Sequence, residues 1–101
     1  RGERMKNLAD ILKTLAAHRE ELTQKYKVKE IGIFGSVVRG EQKGTSDVDI
    51  LVEFENPIGF FTFLELEEYL SNLLGLKVDL VSKKALKPNI GRYILQEVIP
   101  V

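Results

Sequence analysis

IGIFGSVVRGEQKGTSDVDILVEF, residues 31–54, holds two apolar runs separated by a polar segment. The first run, Ile31–Phe34, is rich in the branched and aromatic residues that suit a buried strand. Residues 36–40 are too few for a second strand, so they predict one helical turn directly after Gly35. From Asp47 to Phe54 apolar and polar residues alternate, which predicts a second strand with two different faces.

The corner between the first strand and the turn is formed by Gly35 and Ser36. The start of a helical turn offers unpaired N–H groups with partial positive charge, and a glycine lets an anion approach the backbone closely. The hydroxyl of Ser36 adds one more donor. The corner is therefore suited to phosphate.

Three acids fall on strands that we expect to share one face of a sheet. Asp47 and Asp49 are two residues apart on one face of their strand, about 6.5–7 Å by rise alone. Asp79 alternates with Val78 and Leu80 in another short apolar run, and it joins that face if the two strands are neighbours. Carboxylates so close repel one another unless a cation lies between them, and Mg²⁺ prefers such oxygens while leaving positions for substrate phosphates.

Gly35-Ser36, ten residues, then Asp47-x-Asp49, with Asp79 in a later strand, resembles the DNA polymerase β-like nucleotidyltransferase superfamily. In particular, the chain resembles the smallest branch of that superfamily, the minimal nucleotidyltransferase (MNT) domains, over nearly its whole length. The resemblance includes the form Gly-Ser-x-x-Arg-Gly at residues 35–40 and Ser46 before the first acid.

The resemblance implies a reaction and a set of roles. AMP would pass from ATP to an acceptor hydroxyl, with Asp47, Asp49 and Asp79 catalytic and holding two Mg²⁺ ions. The nucleotide-binding residues would be Gly35, Ser36, Arg39 and Ser46. For Arg39 the sequence leaves two alternatives open, a contact with phosphate or an ion pair that ties the turn to a neighbouring carboxylate.

The MNT proteins that this chain resembles share a gene arrangement: each is encoded beside a HEPN-domain partner. In many of these pairs the MNT protein is the antitoxin and the HEPN protein is the toxin. The implied acceptor is then a tyrosine of a HEPN ribonuclease, which would be neutralised by adenylylation. A different hypothesis is a non-catalytic antitoxin that neutralises its partner by docking alone. Transfer to a small molecule or to an RNA end is a third hypothesis, but family members that do so usually carry further domains.

The composition restricts the partners. The 101 residues predict a single domain, 1–101, with 15 basic and 15 acidic residues and no formal net charge. Nucleic-acid binding requires a basic face, and the one modest cluster is Lys83, Lys84 and Lys87, so a nucleic-acid partner is disfavoured. The chain has no cysteine and no apolar run near the about 18 residues of a membrane span. We therefore expect a cytoplasmic protein without a membrane partner.

Apolar residues at three- and four-residue steps predict helices over Lys6–Lys25, Phe60–Leu74 and Ile90–Val98. With a third strand over Lys77–Val81, the fold class is α/β, a small mixed sheet with helices packed mainly on one face. We expect the aromatic cluster Phe60, Phe61 and Phe63 to pack in the core or against a partner rather than to stack on bases.

Overall fold

Five helices and four strands occupy the described residues, 7–41 and 47–101, of a computed structural model. The helices are α1 (Leu8–Ala17), α2 (Arg19–Tyr26), α3 (Ser36–Arg39), α4 (Phe60–Leu74) and α5 (Pro88–Glu97). The strands are β1 (Val28–Phe34), β2 (Val48–Phe54), β3 (Val78–Ser82) and β4 (Ile99–Pro100), and a 3-10 turn covers Lys83–Ala85.

The first predicted helix is two helices in the structure. Asn7 caps α1 through its side chain, which accepts from the Asp10 N–H at 2.9 Å. The break falls at His18, whose backbone leaves the helical region and whose Nδ1 lies 2.9 Å from the Thr14 carbonyl oxygen. Between residues 6 and 27 there is neither Gly nor Pro, so the sequence carries no signal for this break. Lys6 lies outside the described residues.

The sheet has the order β3-β2-β1-β4 and is mixed, as predicted. β1 pairs antiparallel with both β2 and β4, whereas β2 and β3 are parallel. A parallel pair needs a crossover connection, and α4 supplies it. β4 was not predicted, because two residues are too few to show the alternation that marks a strand.

One face of the sheet, which we call the closed face, is covered by α1, α2 and α4. Directly paired residues on this face include Ile33 with Ile50 and Ile50 with Leu80, and all three are buried. They pack against buried residues of the three helices: Ile11, Leu15, Leu22, Tyr26, Leu66, Leu70 and Leu74. The core therefore lies on one side of the sheet, which confirms the predicted arrangement.

The other face, which we call the open face, carries the residues that alternate with the core. Phe34, Asp49 and Asp79 form one row across β1, β2 and β3, and Gly32 pairs with Leu51 in the next row of β1 and β2. The chain after α5 reaches this face at Val98, whose Cγ2 fills the space that a Cβ on Gly32 would need. The C-terminal segment therefore covers part of the open face and leaves the acids uncovered by that contact.

The aromatic cluster at the start of α4 is only partly in the core. Phe63 packs against core residues and lies edge-on to Phe54, with ring centroids 6.3 Å apart. Phe60 and Phe61 are 69% and 78% exposed, so of the two predicted alternatives core packing is wrong for these residues, and contact with a partner stays a prediction. The cluster lies at the start of α4, as its helical spacing predicted.

Within the described residues, no helix is both long enough and apolar enough to cross a membrane.

Candidate active site

The structure brings the three predicted acids to one edge of the open face. Asp47 immediately precedes β2, Asp49 is its second residue, and the parallel register pairs Asp49 directly with Asp79 of β3. Paired residues of neighbouring strands point to the same face, about 4.8 Å apart in the hydrogen-bonding direction. The prediction that Asp79 shares a face with Asp49 is thus borne out by the strand register.

The glycine of the corner lies against the middle acid. Gly35 follows Phe34, which is paired with Asp49, and it has a positive φ of 86°. A Cβ built on Gly35 would overlap the Asp49 carboxylate and lie 2.9 Å from its Cγ. Glycine is required here for two reasons, the left-handed backbone and the close approach of a side chain. The corner and the acids are therefore neighbouring parts of one site.

The electrostatics of Asp49 show how closely the carboxylates are grouped. Burial is the main cause that raises the pKa of Asp49, and the charges of Asp79 and Asp47 raise it further. Arg39 acts in the opposite direction, while Glu97 adds another repulsive charge. A cation placed among these acids would relieve the repulsion.

Arg39 has two carboxylate partners in the structure. Its Nε donates to Glu41 Oε1 at 3.0 Å, and its Nη1 donates to Glu97 Oε1 at 2.7 Å. Of the two alternatives open for Arg39, the ion pair is therefore the contact that the structure contains. Contact with a phosphate stays a prediction.

Glu97 is the polar residue of this region that sequence reasoning missed. Its second oxygen, Oε2, accepts the Gly35 N–H at 2.6 Å, and Arg39 together with this N–H lowers the pKa of Glu97. Glu97 is 62 residues from Gly35 in the chain. The apolar periodicity of α5 gives no information on which acid of that helix meets the corner, so no signal in the sequence could have found it.

The remaining predicted residues are the two serines. Ser36 is the first residue of α3, and no described residue accepts a hydrogen bond from its N–H or from that of Val37. These donors are the ones the prediction assigned to phosphate. Ser46 lies outside the described residues.

The donor chemistry of the acids fits a hard divalent cation, but their side chains do not converge. In the described part of the chain, no three or more His, Cys, Asp or Glu side chains are arranged to hold a metal ion. The backbone nonetheless places three carboxylates at neighbouring positions of β2 and β3, and carboxylate oxygens are the ligands that Mg²⁺ takes.

A separate cavity lies further along the open face. It has a volume of about 460 Å³, and its lining includes Gly32, Leu51, Leu95, Val98 and Lys83, but none of the three acids. The acids lie outside this cavity, at the N-terminal ends of β2 and β3.

Comparison with known proteins defines the class of the chain. A family model described as a nucleotidyltransferase domain matches residues 15–101. The chain is thus a nucleotidyltransferase, the class that the sheet and its acids had suggested.

Relatives narrow the class. A protein adenylyltransferase of Thermococcus cleftensis, MntA, is 54% identical over 97 residues, which cover 96% of this chain and 98% of the relative. A solved structure of a candidate minimal nucleotidyltransferase is 39% identical and superposes with a TM-score of 0.73, over 89% of this chain and 95% of the other. A mutant of the toxin–antitoxin complex MntA-HpeT is 26% identical with a TM-score of 0.69, over 96% of this chain and 72% of the other. The chain belongs to the minimal nucleotidyltransferases of the DNA polymerase β-like superfamily.

Proposed function

We propose that this nucleotidyltransferase moves AMP from ATP to a hydroxyl of a partner protein, in a Mg²⁺-dependent reaction. The observation that carries the proposal is the row formed by Asp49 and Asp79, with Asp47 two residues away and the Gly35 corner against Asp49. Acids and a phosphate-binding corner at one edge of a sheet are what phosphoryl-group chemistry requires.

The three acids are proposed to hold the metal. Asp47 and Asp49 would ligate two Mg²⁺ ions, and Asp79 would share one of them and help to take the acceptor proton. When bound, Mg²⁺ supplies charge neutralisation for the reacting phosphate and activation of the acceptor oxygen. Burial, followed by the charges of Asp79 and Asp47, raises the pKa of Asp49. This supports the assignment, because a bound cation would remove the repulsion between the acids.

The nucleotide is proposed to lie along the corner. Gly35 would let the β- and γ-phosphates approach the backbone closely, and Ser36 would bind them through its N–H and its hydroxyl, with Ser46 as a further donor. Arg39 is the fourth member of this set and would act on the phosphates from its place beside Glu97. The N–H groups of Ser36 and Val37, which have no acceptor among the described residues, support the assignment.

The proposed reaction balances without a covalent intermediate on this chain. The acceptor oxygen forms a bond to the α-phosphorus of ATP, and the bond from that phosphorus to the bridging oxygen of pyrophosphate breaks. Pyrophosphate leaves with the electron pair, and the acceptor proton passes to a carboxylate of the site or to water. The products are an AMP-modified partner and pyrophosphate.

The proposed acceptor is a tyrosine of a HEPN-domain toxin. Three findings support a protein acceptor: the adenylyltransferase MntA at 54% identity, the toxin–antitoxin complex at 26% identity, and a formal charge of zero, which does not favour nucleic acid. The cytoplasmic location predicted from the sequence is part of the same proposal.

The test uses the chain, a HEPN-domain protein as the proposed partner, Mg²⁺ and ATP labelled at the α-phosphate. We expect label on the partner, a mass increase of whole AMP units on tyrosine, and release of pyrophosphate. ATP labelled at the γ-phosphate is the matched control and should leave the partner unlabelled.

Two variants separate catalysis from docking. Asp49→Asn in the chain and Tyr→Phe at the modified tyrosine should each abolish labelling. If Asp49→Asn still neutralises the toxin as well as the natural chain does, the protein acts by docking alone and the enzymatic proposal is wrong.

A further inference from the structure

Glu97, the last residue of α5, connects the C-terminal part of the chain to the proposed nucleotide site. One carboxylate oxygen accepts the Gly35 N–H at 2.6 Å, and the other accepts Nη1 of Arg39 at 2.7 Å. The Glu97 side chain is 23% exposed and that of Arg39 is 48% exposed, so the contact with Gly35 is partly shielded from water while the contact with Arg39 is open to it. Charge-assisted hydrogen bonds of this kind are stronger than those between neutral groups.

The two contacts lie at opposite ends of α3. Gly35 precedes the first residue of this turn and Arg39 is its last residue. A four-residue turn has little stability of its own, since its first hydrogen bonds must offset the entropy of fixing several residues. A single carboxylate that binds both ends can therefore fix how the turn is oriented on the sheet.

The contacts leave the neighbouring donors free. Glu97 takes the Gly35 N–H, while the N–H groups of Ser36 and Val37 have no acceptor among residues 7–41 and 47–101. We propose that Glu97 is a positioning residue for the nucleotide, which orients the Gly35–Arg39 turn so that Ser36 faces the phosphates. The inference rests on the proposed function, because it assigns the orientation of the same corner.

Charge balance explains why an acid can stand next to a site for an anion. Glu97 alone would repel a triphosphate, but Arg39 lies 2.7 Å away and offsets its charge. Glu41, the second partner of Arg39, is 62% exposed, so solvent screens its charge. Arg39 and the Gly35 N–H lower the pKa of Glu97, so the carboxylate stays ionised at neutral pH and keeps both bonds.

If Glu97 competed with the nucleotide instead of positioning the turn, its removal would have the opposite effect on ATP affinity. If a phosphate of ATP needed the Gly35 N–H for itself, Glu97 would compete with the nucleotide, and its removal would strengthen binding. The positioning role predicts weaker binding. The sign of the change therefore distinguishes the two.

The test is the affinity of the Glu97→Gln variant for a non-hydrolysable ATP analogue with Mg²⁺, measured by calorimetry beside the KM for ATP. Gln keeps an acceptor for the Gly35 N–H but loses the charge that holds Arg39. We expect affinity to fall about ten-fold, which corresponds to about 1.4 kcal/mol, and KM to rise more than kcat falls. Glu68→Gln is the matched control, because it removes the same charge from an exposed position of α4 and should change neither quantity.

A double-mutant cycle with Arg39→Gln tests whether the pair acts as a unit. The double variant should bind the analogue no more weakly than the weaker single variant, since each substitution already breaks the same contact. If the losses of affinity in the two single variants add up in the double variant, Arg39 binds the phosphates without Glu97, and the inference is overturned. An unchanged or tighter affinity of Glu97→Gln would also overturn it.

Two further measurements keep the outcome interpretable. The thermal midpoint of each variant shows whether it folds, and Glu97→Asp, whose shorter side chain cannot span both partners, serves if Glu97→Gln does not fold. Binding of the analogue is measured without an acceptor, so it tests the positioning role of Glu97 independently of transfer. If the natural chain binds the analogue but modifies no partner, the proposed function is refuted and the role of Glu97 is still tested.

Discussion

The closed and open faces of the sheet come from the same strands and have opposite properties. On β2, Ile50 points into the core and is fully buried, while Asp49 points to the other side and carries a carboxylate whose pKa is raised by partial burial and by the neighbouring acids. Alternation along one strand thus separates the residues that stabilise the fold from those that are proposed to do chemistry. The difference shows that one face can be altered with little effect on the other, and the predictions below test that separation.

The largest expected effect is on the open face. Asp49→Asn should reduce AMP transfer about 10³-fold or more, since charge stabilisation by a metal site is worth several kcal/mol in the transition state. The free energy of unfolding at neutral pH should stay equal or rise, because burial and like charges disfavour the ionised carboxylate. Transfer assays and urea unfolding of one preparation check both statements.

Glu53→Gln is the matched control for that variant. Glu53 lies on the same strand and face, four residues further on, and forms a partly exposed ion pair of 3.6 Å with Lys83. Such a pair is worth about 0–1 kcal/mol, so activity and stability should both stay near those of the natural chain. A comparable loss of activity in both variants would mean that the whole face, rather than the acids, is required.

The next effect is on the closed face. Ile50→Ala should lower the free energy of unfolding by about 2–5 kcal/mol, because it removes buried methyl groups and leaves a cavity. Ile50→Val should cost about 0.5–1.5 kcal/mol. At a temperature where the variants are still folded, transfer activity should be retained. Loss of activity in a folded Ile50→Val variant would contradict the separation of the two faces.

The sequence predicts which face of the sheet a side chain lies on, but it does not predict contacts between distant parts of the chain. Alternation placed Ile50 and Asp49 on opposite faces, and it placed Asp79 beside Asp49 once the strands were taken as neighbours. Both results depend on side-chain directions that a strand fixes locally. Glu97 was beyond prediction because its contact with Gly35 spans 62 residues and depends on where α5 ends.

The exposed start of α4 was missed for a related reason. Phe60 and Phe61 have the spacing of a core helix, but spacing does not tell which turns of a helix are covered by the rest of the fold. Local pattern therefore predicts which way a side chain points, whereas the path of the element decides what it meets.

Substitution of Gly35, which lies beside Asp49 at the end of β1, should reduce transfer less than Asp49→Asn does and stability less than Ile50→Ala does. Gly35→Ala should lower stability by about 1–2 kcal/mol for the left-handed backbone alone, and it should also reduce transfer because its Cβ displaces the Asp49 carboxylate. Gly40→Ala is the control, since Gly40 has a φ of 74° but no atom within 4 Å of the added Cβ. It should lose about 1–2 kcal/mol of stability for its left-handed backbone and keep its activity, as unfolding and transfer assays will show.

The smallest effect concerns a pair of helices on the closed side. The Tyr69 hydroxyl donates to Glu21 Oε1 at 2.8 Å, and burial, followed by this bond, raises the pKa of Tyr69 to about 12. A neutral phenol is thus favoured in the folded state. Its contribution to stability should be complete below pH about 10, the ordinary value, and should be lost as the pH rises through the raised pKa.

Glu21→Gln should lower the pKa of Tyr69, while burial, the larger cause, keeps it above the ordinary value. Ring-carbon chemical shifts followed by NMR across alkaline pH measure this pKa directly, and Tyr69→Phe assigns the signal. A pKa unchanged by Glu21→Gln would show that burial alone is responsible. Transfer activity at neutral pH should be the same in all three proteins, because the bond joins α2 to α4 on the face that carries none of the three acids.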